Sequence, residues 1–137
     1  MLFRSALRAL ADRLGIAGRV ELLGWVADED IPALYAGSLA VYYAPYDEDY
    51  GYVTVEAMKS GKPVLTAADS GGVLEFVVEG ETGFVGPAGG GKAAARELGS
   101  RLDLLYRDRD RARAMGAAGK KKVEAVDWDL VVRALTE

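Results

Sequence analysis

Two glutamates separated by seven residues, Glu48 and Glu56, stand either side of Gly51 in the segment 45–63, PYDEDYGYVTVEAMKSGKP. The chain has no histidine and no cysteine. That removes the commonest general base, the Ser-His-Asp triad, thiolate metal sites and most zinc sites. Acid–base and hydrogen-bonding chemistry must fall to carboxylates, lysines or tyrosines. Asp47, Glu48 and Asp49 form an acidic loop, and Gly51 opens a helical pattern directly after it. A helix N-terminus at the carboxyl end of a strand offers unpaired N–H groups and partial positive charge, which suits a phosphate. Gly51 lets a ligand approach the backbone closely. Three acids repel phosphate but accept hydrogen bonds from hydroxyls, as on a sugar or a ribose. Strand, acidic loop and glycine-opened helix therefore fit a nucleotide-sugar-like ligand. They fit equally a helix start whose acids are favoured by the helix dipole alone.

The elements that must hold this segment are legible in the hydrophobic pattern. Residues 2–14 read as an amphipathic helix ended by Gly15, and 19–25 as a short strand closed by Gly24. Asp28 or Asp30 caps a helix that runs to about Gly37, with Pro32 in its first turn. The run 38–44 is nearly continuous in apolar residues, as in a parallel strand covered on both faces. Loop 45–49 leads to a helix over 52–60, stopped by Gly61 and Pro63. Then come a strand at 63–67, a turn at 69–72, a short helix at 73–78, a turn at 79–83 and a strand at 84–85. A glycine-rich loop spans 86–91. Helices follow at 93–107 and 109–135, the second interrupted near Gly116 and Gly119. Strands alternating with helices at this interval predict a parallel, Rossmann-like α/β sheet of about four strands with helices on both faces. At 137 residues, half of them hydrophobic, the chain is one domain with a core.

Charge and composition exclude other classes. The formal net charge of −4 disfavours nonspecific nucleic-acid binding. No apolar run approaches the roughly 20 residues of a membrane span. The N-terminal stretch is broken by Arg4, Arg8, Asp12 and Arg13 and is not a signal peptide, so a cytoplasmic location is expected. Phe3, Leu7, Leu10 and Leu14 share one helical face, for which core packing is the expected use and peripheral membrane contact the alternative. The segment 86–92, GPAGGGK, matches part of a phosphate-binding loop, but Ala93 stands where Ser or Thr would hold Mg²⁺. No G-x-G-x-x-G follows a strand, which disfavours a dehydrogenase. Tyr42, Tyr43 and Trp128 are aromatics available to a sugar, although core packing is expected for at least one of the two tyrosines and for Trp128.

The segment 45–63 resembles the E-x7-E signature of family 4 retaining glycosyltransferases, with Glu48 and Glu56 as its acids. Asp49, Tyr50 and Gly51 match the residues after the first acid. Ala57, Met58, Gly61, Pro63 and Val64 match those after the second. GGVLE at 71–75, EGETGFV at 79–85, VELLG at 20–24 and Trp128 match in order, so the resemblance covers nearly the whole chain. It implies the C-terminal, donor-binding domain of a GT-B fold, truncated on its N-terminal side. It also implies retaining transfer of a sugar from a nucleotide sugar to an unknown acceptor, with no metal and no cofactor beyond that substrate. By the resemblance, Glu48 meets the transferred sugar and Glu56 accepts hydrogen bonds from the ribose hydroxyls. The amides of Tyr50, Gly51, Tyr52 and Val53 face the sugar and diphosphate. Trp25 and Val26 lie by the base, and Gly71 and Gly72 border the donor. Glu75 corresponds to the acid after the Gly-Gly turn, its role left between ligand contact and capping.

The resemblance also shows departures. The family's donor domain begins with two further strands, with an Arg and a Lys between them that neutralise the departing diphosphate. Nothing in this sequence matches them, and Lys59 and Lys62 lie past the motif. The chain alone is therefore expected to be inactive or nearly so. A non-catalytic nucleotide-sugar-binding or protein-interaction module derived from such an enzyme is the alternative. With strands 1 and 2 of the doubly wound order absent, the strand at 20–24 is expected to move beside 39–44. Otherwise another chain fills the open edge, either by self-association or as a companion acceptor-binding domain.

Overall fold

The computed structural model describes residues 2–126, which divide into two compact units, Met1–Ile31 and Pro32–Glu137. Trp128 lies outside the described residues, as does the part of the helix expected over 109–135 that falls beyond residue 126; the described helix ends at Val123.

The first unit holds helix α1 (Leu2–Arg13) and a single 3-10 turn, Ala17–Arg19. Leu14 and Ile16 close the helix by hydrogen bonds back to Leu10 and Ala11. The apolar face of α1 does not pack as its spacing predicts: Phe3, Leu7, Leu10 and Leu14 are all exposed, and Ala11 is the buried residue of the helix. The strand expected over 20–24 does not form either. Val20 is extended, but none of residues 20–24 joins a ladder. An extended backbone becomes a strand only when a neighbour takes its N–H and C=O groups.

The second unit is a parallel sheet of three strands rather than about four, in the order β1 (Val41–Tyr42), β2 (Val64–Ala67), β3 (Gly83–Gly86). Val41 pairs with Val64, and Val64 in turn with Gly83. The apolar run 38–44 yields only a two-residue strand, paired with β2 alone. Gly83 lies so near the Val64 carbonyl that a Cβ would collide with it.

Helix α2 (Ile31–Gly37, at the boundary of the two units) precedes β1, α3 (Tyr52–Lys59) lies between β1 and β2, and a 3-10 turn, Gly72–Glu75, where the sequence predicted a longer helix, lies between β2 and β3. Helices α4 (Gly91–Arg107) and α5 (Arg109–Val123) follow. Alternation along β2 sends Val64 and Leu65 to opposite faces. Val64 joins Val55, Met58, Val73, Phe76, Val77 and Val123 in one core cluster. Leu65 joins Phe84, Leu98, Leu105, Ala112 and Met115 in the other. Helix α3 thus covers one face and α4 the other, while α5 contributes to both. Gly116 and Gly119 do not interrupt α5. They are the points where it packs against the Gly61 carbonyl and the Met58 side chain, with no room for a Cβ at Gly116.

Candidate functional site

The carboxyl ends of the strands carry the acids. After β1 the chain passes through Tyr43, Ala44 and Pro45 into the loop 46–50, which holds Glu48 half-buried. This loop is fixed from the β2 side. Asp47 N–H donates to the Asp69 carbonyl at 2.9 Å, and Gly72 N–H donates to the Glu48 carbonyl at 2.7 Å. Glu48 and Gly71 form an isolated parallel bridge that extends the β1–β2 pairing beyond the strands. Gly71 lies at φ 65°, ψ −132°, and a Cβ there would sit 2.5 Å from the Glu48 carbonyl oxygen. At Gly72 a Cβ would collide with the Asp49 carbonyl oxygen. Both glycines are therefore required by backbone contact with the acidic loop. Asp47 itself takes a positive φ of 46°, the one non-glycine among the described residues to do so.

Gly51 precedes α3 in the left-handed region, at φ 73° and ψ 57°, and is buried. A Cβ there would meet Val73 at 2.6 Å. With the Gly51 carbonyl accepting from Thr54 N–H at 2.9 Å, the chain turns sharply from loop to helix. The first amides of α3 have no acceptor within the helix, so the end presents donors and partial positive charge. Tyr50 and Tyr52 flank it with ring centroids 4.8 Å apart, and Tyr50 meets Phe76 edge-on at 5.6 Å. Val53 is half-buried in the first turn.

Both acids of the motif carry a tyrosine. Tyr43 O–H donates to Glu48 Oε2 at 3.1 Å, and Tyr35 O–H, from α2, donates to Glu56 Oε2 at 3.0 Å. Burial, followed by the hydrogen bond to Glu56 and that carboxylate's charge, pushes the Tyr35 phenol up to about 12. Burial and then Glu48 likewise raise Tyr43 above the ordinary tyrosine range. Neither tyrosine partner was visible in the sequence, although the phenol of Tyr35 stands within hydrogen-bond reach of the second acid. Tyr43 packs against the core as expected of one member of the pair, whereas Tyr42 is exposed.

The remaining expected site residues are distributed as follows. Trp25 and Val26 belong to the first unit, where Trp25 is 87% exposed. Glu75 ends the 3-10 turn and is exposed. Lys59 Nζ donates to the Val126 carbonyl, and Lys62 Nζ to the carbonyls of Ala36 and Ser38, so both lysines have backbone partners. In the glycine-rich loop, Gly89 N–H donates to the Asp69 carboxylate at 2.8 Å. A carboxylate already in place on this amide disfavours a phosphate there. This loop borders a cleft of about 280 Å³ with Tyr42, Pro45, Tyr46 and Leu98, on the α4 side of the strand ends. The cleft is not lined by Glu48 or Glu56.

Residues 3–122 match the family model described as glycosyl transferases group 1. The chain is 35% identical over 131 residues to the D-inositol 3-phosphate glycosyltransferase of Streptomyces scabiei, covering 96% of this chain and 28% of that protein. It is 36% identical over 143 residues to the GDP-mannose-dependent alpha-(1-6)-phosphatidylinositol monomannoside mannosyltransferase of Mycobacterium tuberculosis, covering 98% and 36%. Among solved structures it superposes on sucrose-phosphate synthase from Thermosynechococcus elongatus with a TM-score of 0.85 at 26% identity, covering 98% of this chain and 33% of that one. It superposes on Anabaena HepE in complex with UDP and glucose with a TM-score of 0.84 at 28% identity, covering 98% and 36%. The chain thus spans about a third of the length of these proteins, and its parallel sheet flanked by helices is the Rossmann-like architecture of the GT-B glycosyltransferases. On the extent of the family match and the order of its motifs, the chain belongs to the glycosyl transferases group 1.

Proposed function

We propose that this chain is the donor-binding half of a retaining glycosyltransferase that moves a sugar from a nucleotide sugar to an acceptor. The observation that carries the reading is the pairing of two positioned carboxylates with the opening of α3. Glu48 precedes the left-handed Gly51, Glu56 follows it by one and a half turns, and each has one oxygen held by a tyrosine. Such an arrangement offers amide donors to a diphosphate and carboxylate acceptors to hydroxyls on either side of it. Glu56 is assigned to the ribose and Glu48 to the transferred sugar. Tyr50, Gly51, Tyr52 and Val53 are assigned to the sugar and diphosphate through their amides. Gly71 and Gly72 border the donor, and Trp25 and Val26 are assigned to the base. HepE, a structural neighbour, binds UDP-glucose, and a relative from M. tuberculosis uses GDP-mannose, so uridine and guanosine donors are both candidates.

Transfer also needs positive charge on the leaving diphosphate. Lys59 and Lys62, which follow the motif, are engaged with backbone carbonyls. Donor binding without turnover is therefore the activity proposed for this chain by itself, with an acceptor-binding domain and diphosphate cations supplied by a companion. Calorimetric titration with UDP-glucose, GDP-mannose and an ADP-sugar, beside Glu56→Ala, tests the reading. One nucleotide class should bind, and the variant should lose about 1–3 kcal/mol. No binding to a folded chain, or equal binding by the variant, would overturn it.

A further inference from the structure

Glu56 is exposed, and a glutamate on a helix surface has three side-chain torsions to explore. Its carboxylate is nevertheless held, because Tyr35 O–H donates to Oε2 across 21 residues of sequence. Tyr35 is itself well placed to do this. It is partly buried and packs against the core cluster that includes Val55, Met58 and Val73. Its carbonyl accepts from both the backbone N–H and the side-chain hydroxyl of Ser38, at 3.1 and 2.9 Å. The next turn is clamped by Lys62 Nζ, which donates to the carbonyls of Ala36 and Ser38 at 2.9 Å each. The phenol thus projects from a fixed point toward one oxygen of Glu56.

We infer that Tyr35 is a positioning residue for the donor: by occupying Oε2 it fixes the Glu56 carboxylate so that Oε1 faces the ribose hydroxyls. The inference rests on the assignment of Glu56 to the ribose. A phenol suits the task because it donates one hydrogen bond and has no rotamer freedom beyond two torsions. Being itself neutral, it leaves the full negative charge on Glu56 to strengthen the bonds from a ligand. Without Tyr35 the carboxylate would have to be ordered by the ligand, and part of the binding energy would be lost to that ordering.

The test is a double-mutant cycle on donor affinity. It uses whichever of UDP-glucose and GDP-mannose binds the wild-type chain, with circular dichroism and melting to confirm that each variant is folded. Tyr35→Phe keeps the packed ring and removes only the hydroxyl, and should weaken binding about fivefold. In the Glu56→Ala background the same substitution should change affinity no further, because the group it acts through is gone. The corresponding nucleotide lacking both ribose hydroxyls should bind wild type and Tyr35→Phe alike. A Tyr35→Phe loss of equal size in the Glu56→Ala background would show a merely structural role and overturn the inference. So would wild-type affinity in Tyr35→Phe while Glu56→Ala is weakened, an outcome that leaves the donor assignment standing. Absence of wild-type binding to either donor removes both.

Discussion

Replacing Gly71 by alanine is the sharpest probe of how the acidic loop is held. Gly71 lies at φ 65°, ψ −132°, outside the left-handed helical well and in a region glycine alone occupies readily, which costs an alanine about 1–3 kcal/mol. The new Cβ would also stand 2.5 Å from the Glu48 carbonyl oxygen and 2.8 Å from the Glu48 nitrogen. Regaining an ordinary contact of roughly 3.5 Å requires the two backbones to separate by about 1 Å. That separation stretches the 2.7 Å bond from Gly72 N–H to the Glu48 carbonyl, worth about 1 kcal/mol, and adds overpacking of about 1–3 kcal/mol. Together the loss should be about 4 kcal/mol, a large share of the stability of a small domain. Gly80→Ala is the control. Gly80 has φ 76° but open space where the Cβ would go, so it reports the left-handed cost alone, about 1 kcal/mol. Urea unfolding followed by circular dichroism measures both. If the two variants agree to within about 0.5 kcal/mol, the crowding between the 69–72 turn and the Glu48 loop is not real, and the account of these glycines fails.

Three further outcomes follow from the same geometry. Gly116→Ala should destabilise by about 3 kcal/mol or more in urea unfolding, since its Cβ would collide with the Gly61 carbonyl. Gly99→Ala, in α4 with open space around it, should instead stabilise by about 0.5–1 kcal/mol. Thr66 is fully buried in β2 with no partner for its hydroxyl, so Thr66→Val should raise the urea midpoint, by about 1 kcal/mol in stability; a loss would mean the hydroxyl is satisfied. Tyr35 has its pKa raised by burial and by Glu56, so the folded state keeps the phenolic proton that the unfolded chain releases. Its contribution is full below about pH 10 and declines as pH rises toward about 12; in Tyr35→Phe the fall in urea midpoint between pH 9 and pH 11 should be shallower than in wild type.

The parts of the fold legible in the sequence are those where local pattern and tertiary partner agree. Residues 64–67 are buried throughout, and the apolar run that marked them needed no alternation to be read as a parallel strand. Gly61 and Pro63 marked the end of α3 because a left-handed glycine and a proline stop a helix whatever surrounds it. The segment 20–24 carried the same apolar signal as a strand, but whether a ladder exists for it is decided elsewhere in the chain, and none does among the described residues. The face of α1 misled for the same reason, since periodicity reports which residues share a side and not what covers that side. Gly116 and Gly119 read as helix interruptions because propensity counts a glycine against a helix. In α5 the missing side chains are what allow the helix to sit against Gly61 and Met58.

The site shows a related division. Glu48, Gly51 and Glu56 were legible because their spacing depends only on one loop and one helix. Their restraint was not, because it comes from residues that are distant in sequence or, as Tyr43, lie between β1 and the loop. Tyr35 reaches Glu56 from α2, and Gly71 and Gly72 reach Glu48 from beyond β2. Two kinds of contact therefore hold the two acids differently. Glu48 is held through its backbone, by a turn that admits no Cβ, and Tyr43 adds a side-chain bond. Glu56 has its backbone fixed by α3 alone, and its carboxylate is directed by a single phenol. Substitutions around Glu48 should consequently register first as stability, and substitutions around Glu56 as affinity. That contrast is what the Gly71→Ala and Tyr35→Phe measurements set side by side. A Tyr35→Phe chain that loses as much stability as Gly71→Ala would place both acids in the structural category and remove the distinction.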